Sequence, residues 1–138
     1  MSALLLDTHI WLWYAEGDGD RLPEASVKRI EDARRNQGLL VSAISVWELG
    51  ILRAKGRVQL SSPLRDWVRR ALKPSGISLV TLDADTAAES TLLPGEPHGD
   101  SADRFLVATA RIRDVVIATR DRGVIEYGKA GHVRVLKL

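Results

Sequence analysis

Five acidic residues stand where the chain passes from an apolar, strand-like run into a stretch of helical period, or just inside that helix: Asp7, Glu48, Asp100, Asp103 and Asp121. Asp7 closes the run Ala3 to Leu6, and Asp121 closes the β-branched run that begins at Val115. If those strands are parallel, both acids stand on the edge where open α/β sheets bind their ligands. Glu48 shares a helical face with Ile44, Ile51 and Leu52, and Asp103 with Leu106 and Val107. Both carboxylates are therefore expected to project from an apolar stripe and not from the solvated face. Carboxylates gathered in this way repel one another, and they stay ionised only around a positive charge. Oxygen ligands without cysteine suit a hard divalent cation, Mg²⁺ or Mn²⁺, which keeps several waters and takes phosphate oxygens as further ligands. Such a cation lowers the pKa of a water and stabilises charge on a scissile phosphate, which is what in-line hydrolysis of a phosphodiester needs.

Taken singly, each acid has a plainer use. Asp7, Asp100 and Asp121 each read as an N-cap, and the stretch Ser45 to Glu48 fits a capping box. Capping does not account for Glu48 and Asp103 on apolar faces, nor for four strand-to-helix junctions that offer acids to one rim. Other chemistries find less support. The turn after the first strand lacks the glycines of a dinucleotide or P-loop site. No serine lies in a nucleophile elbow. His9, His98 and His132 lack zinc-motif spacing and read as surface or capping residues, although His9 and His98 flank the acids. Trp11, Trp13 and Trp47 lie beside the acids in sequence; they offer faces for stacking bases, but core packing is the expectation for them. A phospho-receiver domain would need an acceptor aspartate at a central strand end. Asp83 is the sole candidate, and Asp7 lacks the adjacent second acid of such domains.

Positioning these acids falls to alternating elements. Short apolar runs at Ala3 to Leu6, Leu39 to Ala43, Ile77 to Leu82, Val115 to Thr119 and Val133 to Leu138 alternate with segments of helical period. The prediction is an α/β fold, a three-layer α/β/α sandwich around a parallel sheet of about five strands, with right-handed crossovers. Pro23, Gly56 and the loop from Pro94 to Asp100 supply helix starts and stops. Residues 1–138 are expected to form a single domain, since 138 residues suffice for one core and no linker or repeat interrupts them. The absence of cysteine excludes disulfides and thiolate chemistry and fits a cytoplasmic setting. No run is long enough for a signal peptide or a membrane span. A net charge of +2, with arginines scattered along the chain, permits a nucleic-acid partner without requiring one.

Four segments together, LLLDTHIWLW, SAISVWELGILRAKGRV, HGDSADRFLVATA and IATRDRGVIEYG, occur in an order and at separations that resemble the PIN-domain family, and within it the VapC-type toxins of bacterial toxin–antitoxin pairs. The resemblance covers nearly the whole chain. It implies that Asp7, Glu48, Asp103 and Asp121 are the metal-binding acids, that Asp100 is the extra acid of the subgroup reading HxDxxDR, and that Thr119 is the small hydroxyl residue two positions before the last acid. It further implies Mg²⁺ or Mn²⁺, endonucleolytic cleavage of RNA, a homodimer, and a small antitoxin whose C-terminal segment covers the site. The chain departs from the subgroup at Ser101, where proline is common. A housekeeping RNA-processing nuclease and a non-catalytic RNA-binding or scaffold module of the same fold remain as alternatives.

Overall fold

The computed structural model describes residues 3–97 and 99–138; the expectation for His98 lies outside them. The chain runs β1 (Leu4–Leu6), α1 (Thr8–Glu16), α2 (Glu24–Asn36), β2 (Leu39–Ser42), α3 (Ala43–Ala54), α4 (Leu64–Ala71), β3 (Ile77–Val80), α5 (Ala84–Thr91), α6 (Ser101–Arg113), β4 (Val116–Thr119), α7 (Arg122–Lys129) and β5 (Val135–Lys137). The five strands form one sheet in the order β3-β2-β1-β4-β5, and every pairing is parallel. This is the predicted α/β sandwich. Each expected element is present, with its ends shifted by a residue or two.

Two cores explain why the strands are so apolar. Strand side chains alternate between faces, and helices cover both faces of the central strands, so both sets must be hydrophobic. Leu5 and Ile117 pack on one side against Leu106, Val107, Val124 and Tyr127. Leu4, Leu6, Leu39 and Val41 pack on the other against Ile10, Trp11, Ile30, Leu49 and Trp67. Trp11 and Trp67 meet edge to face at 5.2 Å, an arrangement favoured by the ring quadrupoles.

Chain reversals rest on the residues that permit them. Gly17 ends α1 at φ 66°, and its N–H caps the carbonyls of Trp13 and Tyr14. Gly76, at φ 84°, lets the chain turn into β3 so closely that a Cβ there would stand 2.4 Å from the carbonyl oxygen of Arg34.

The sheet also fixes where a ligand belongs. β1 lies at the centre, and the chain leaves it first toward β2 and only later adds β4 on its other side. The carboxyl ends of β1 and β4 therefore form the topological switch point, the crevice where open α/β sheets bind ligands.

Candidate active site

Asp7 and Asp121 reach the switch point from neighbouring strands. Asp7 follows β1 directly, and its backbone N–H extends the sheet by bonding to Ala118 at 3.0 Å. Thr119, the last residue of β4, is fully buried and joins the two acids. Its hydroxyl donates to Asp7 Oδ2 at 2.6 Å and accepts the Asp121 N–H at 2.9 Å. One threonine thus orients the first acid and the turn that carries the last.

The helices deliver the remaining acids. Asp100 is the N-cap of α6 and accepts the Asp103 N–H at 3.1 Å. Asp103, one turn inside, is 8% exposed and points away from solvent, as its neighbours Leu106 and Val107 predict. Glu48 projects from α3 half-buried. The face it occupies is less apolar than its spacing implied, because Ile51 is exposed. The capping box expected at Ser45 is not formed: α3 begins earlier, capped by the Ser42 hydroxyl on the Ile44 N–H, and Ser45 lies within the helix. Ser45 instead bonds to Thr8 at 2.9 Å across a fully buried α1–α3 contact. Capping does hold for Asp100 and for Asp121, which accepts the Val124 N–H at 2.9 Å. It fails for Asp7, which makes no side-chain cap bond.

One cleft of about 320 Å³ is lined by Asp7, Glu48, Asp100, Asp103 and Asp121, together with His9, Trp13 and Arg120. All five sequence-predicted acids are therefore brought together. A larger hollow of about 900 Å³ lies between the end of α6, α7 and β5. It lacks this convergence: its acids Glu89 and Asp114 each pair with an arginine, Arg111 and Arg134, at 2.9 Å.

The acids feel one another. Burial pushes the Asp103 carboxyl up to about 8, and the charges of Asp7, Asp121, Asp100 and Glu48 push it the same way. Burial also raises Asp7, against the bonds from Thr119 and from the Thr8 backbone and the nearby charge of His9. Glu48 is raised by burial, a bond from Thr8 opposes this, and Asp100 and Asp7 add to it. Buried carboxylates that raise one another's pKa call for a cation. Their donor set, oxygen only, fits a hard divalent ion. The side chains line the cleft without closing on it: among the described residues, no group of three or more acidic or histidine side chains stands in a metal-holding array.

Thr8 and Arg120 are not singled out by sequence, and Ser45 reads there only as the start of a capping box. Thr8 and Ser45 look like ordinary helix residues, and only the α1–α3 packing makes them a polar link to Glu48. Arg120 stands beside Asp121, and its guanidinium lies 5.2 Å from the centre of the Trp13 ring while Nε donates to the Leu138 carbonyl at 3.0 Å. Core packing holds for Trp11 but not for Trp47, which is 54% exposed, and Trp13 is only partly buried at the cleft wall. His9 is exposed beside the acids, as its sequence position suggested.

The geometry has counterparts. The model of the PIN domain matches residues 4–130. Ribonuclease VapC22 of Mycobacterium tuberculosis (strain ATCC 25618 / H37Rv) is 34% identical over 122 residues, covering 88% of this chain and 89% of that protein. Among solved structures, VapBC2 of Rickettsia felis, bound to a DNA fragment from its promoter, superposes with a TM-score of 0.71 at 13% identity, over 98% of each chain. DNA-bound VapBC of Salmonella typhimurium gives 0.67 at 19% identity, covering 99% of this chain and 98% of that one.

Proposed function

The chain belongs to the PIN-domain family, and from that premise we propose that it is a ribonuclease of the VapC type, the toxin of a toxin–antitoxin pair, that cuts RNA endonucleolytically with Mg²⁺ or Mn²⁺. The observation that carries this reading is the convergence of five carboxylates on one cleft at the sheet's switch point, with Asp103 raised by all the others. Caps alone have no reason to converge.

Asp7, Glu48, Asp103 and Asp121 would hold the ion, with Asp100 beside them and Thr119 fixing the orientation of Asp7. When bound, the ion supplies the charge that lets these acids ionise together, binds phosphate oxygen and makes an attacking water more acidic. The residues of the chain hold the geometry. The Thr119 bond keeps one oxygen of Asp7 from turning away, and Asp100 and Asp121 fix the first turns of α6 and α7. Helix N-termini also favour the negative charge of the acids and of a phosphate. A water attacks phosphorus in line as the bond to the departing sugar oxygen breaks.

The toxin reading draws on the relative's name and on structural neighbours that are VapBC pairs. A small antitoxin would cover the cleft, and two copies of the chain would pair. The exposed Trp47 and Ile51, one turn apart on α3, offer apolar surface for such contacts. No helix among the described residues is long and apolar enough to cross a membrane, consistent with action on RNA in the cytoplasm. Residues 1–138 would act as one nuclease domain.

Purified protein free of partner should cleave single-stranded RNA with Mg²⁺ or Mn²⁺ and not in excess EDTA. Amide variants of Asp7, Glu48, Asp103 or Asp121 should each lose activity as completely as any pair of them, because the ligands act as one unit. Undiminished cleavage in EDTA would overturn the reading. Brief induction followed by sequencing of RNA 5′ ends would identify the targets, and co-expression of a small protein from an adjacent gene should suppress the cuts.

A further inference from the structure

Trp13 separates two hollows. On one side is the acid cleft; on the other is a cavity of about 560 Å³, bounded by Leu12, by the shared His9 and Trp13, and by Arg57, Val58 and Gln59 just beyond α3. Its volume falls within the roughly 300–1,000 Å³ of cavities that hold small organic ligands. Glu16 and an Asp18–Arg21 pair at 3.4 Å close its outer rim.

The shared wall is built from flat groups. The His9 and Trp13 rings stand 5.6 Å apart at 47°, and the Arg120 guanidinium lies 5.2 Å from the Trp13 ring centre. Such a wall stacks a nucleobase whatever its identity. The opposite wall has different chemistry. Arg57 is exposed and has no ion-pair partner among the described residues, and a guanidinium fork matches phosphate oxygens. Gln59 is exposed and carries both a donor and an acceptor, the combination that reads a base edge.

Charge decides the direction of a bound strand. A cleft of five carboxylates can accept the one phosphate that a cation neutralises, and it repels the phosphates on either side. A strand leaving the cleft is held best where it meets positive charge, and beyond Trp13 it meets Arg57, with Asp18 on the rim already paired to Arg21. Resting on the ribonuclease reading above, we propose that this cavity is a nucleotide subsite, taking the RNA residue next to the scissile phosphate with its base on the His9–Trp13 wall, its edge at Gln59 and its outer phosphate at Arg57.

The test measures binding apart from cleavage. Fluorescein-labelled heptanucleotides of A, C and U are titrated in Mg²⁺ against Asp103→Asn protein, expected to bind without cutting because three of the four metal-holding acids remain, and fluorescence anisotropy gives the three dissociation constants. Arg57→Ala should weaken all three RNAs about equally, by roughly fivefold or more, and flatten the salt dependence. Gln59→Leu should narrow the differences among the three to about twofold. Trp13→Ala should weaken binding about tenfold or more, with Trp13→Phe, which keeps an aromatic face, close to the parent; equal melting temperatures of the two variants separate lost stacking from lost folding. Wild-type cleavage of the same RNAs is followed in parallel. If Arg57→Ala and Gln59→Leu leave every affinity and ratio unchanged, or if no RNA binds, the subsite is overturned. Binding that responds to these variants while the wild type cuts nothing would keep the subsite and remove the ribonuclease reading.

Discussion

Asp103 carries its proton at neutral pH in metal-free protein, because its pKa of about 8 lies above that pH. An unfolded aspartate titrates near 4, so between about pH 4 and pH 8 the native state binds more protons than the unfolded chain. Stability from this group therefore falls as pH rises through that window. In EDTA, the gap in melting temperature between Asp103→Asn and wild type should widen in favour of the variant from pH 5 to pH 8.5. Metal binding must expel the same proton. Calorimetric titration of Mg²⁺ at pH 7 in buffers of different ionisation enthalpy should report release of about one proton, declining toward pH 9; heats independent of buffer would contradict the assignment. Thr119 makes a second test. Thr119→Val removes the donor to a buried carboxylate and the acceptor of the Asp121 N–H, at a cost of about 1–3 kcal/mol for each group left unpaired. Thermal melts should show Thr119→Val several degrees lower, with Thr119→Ser near wild type.

The helix starts do two jobs, and substitution separates them. Asp100 and Asp121 cap α6 and α7 through bonds of 3.1 and 2.9 Å. Asparagine caps about as well as aspartate, whereas alanine costs about 1 kcal/mol. Asp100→Ala should melt a few degrees below Asp100→Asn, since both remove the same charge and only alanine removes the cap. Asp121→Asn should keep its cap and still lose RNA cleavage. If Asp121→Asn retains full activity, its carboxylate serves α7 alone. These helices also fix the backbone behind the cleft: α6 carries Leu106, Val107 and Ala110 into the core on the same face as Asp103, so the helix cannot turn that face outward without unpacking them.

Across the molecule, repulsion and metal affinity are two aspects of one cluster. Two carboxylates roughly 4 Å apart repel by about 4 kcal/mol at an effective dielectric near 20, and greater distance and salt reduce this severalfold. Neutralising one acid should raise stability in EDTA. Mg²⁺ at about 100 times its dissociation constant should add roughly 2.7 kcal/mol to wild type, and Asp7→Asn should lose most of that gain. Differential scanning calorimetry in the two buffers reads both effects, which have opposite signs. Melting temperatures equal to wild type in both buffers would return Asp7 to an ordinary structural role.

Fold class and the acids of the cleft were legible in the chain itself, because the strands, buried on both faces, must be apolar throughout, and because Asp103 breaks an apolar stripe where a charge is costly. The order of the strands was not legible. Nothing local says that β4 inserts beside β1 rather than beyond β3, and that insertion alone brings Thr119 to Asp7 across 112 positions of chain. The same limit hid the polar link from Thr8 to Ser45 and the stack of Arg120 on Trp13, and left Trp47 wrongly expected in the core. Periodicity reports which face of an element is apolar; which other face it meets is set by packing between residues far apart in sequence, and only the tertiary structure decides that.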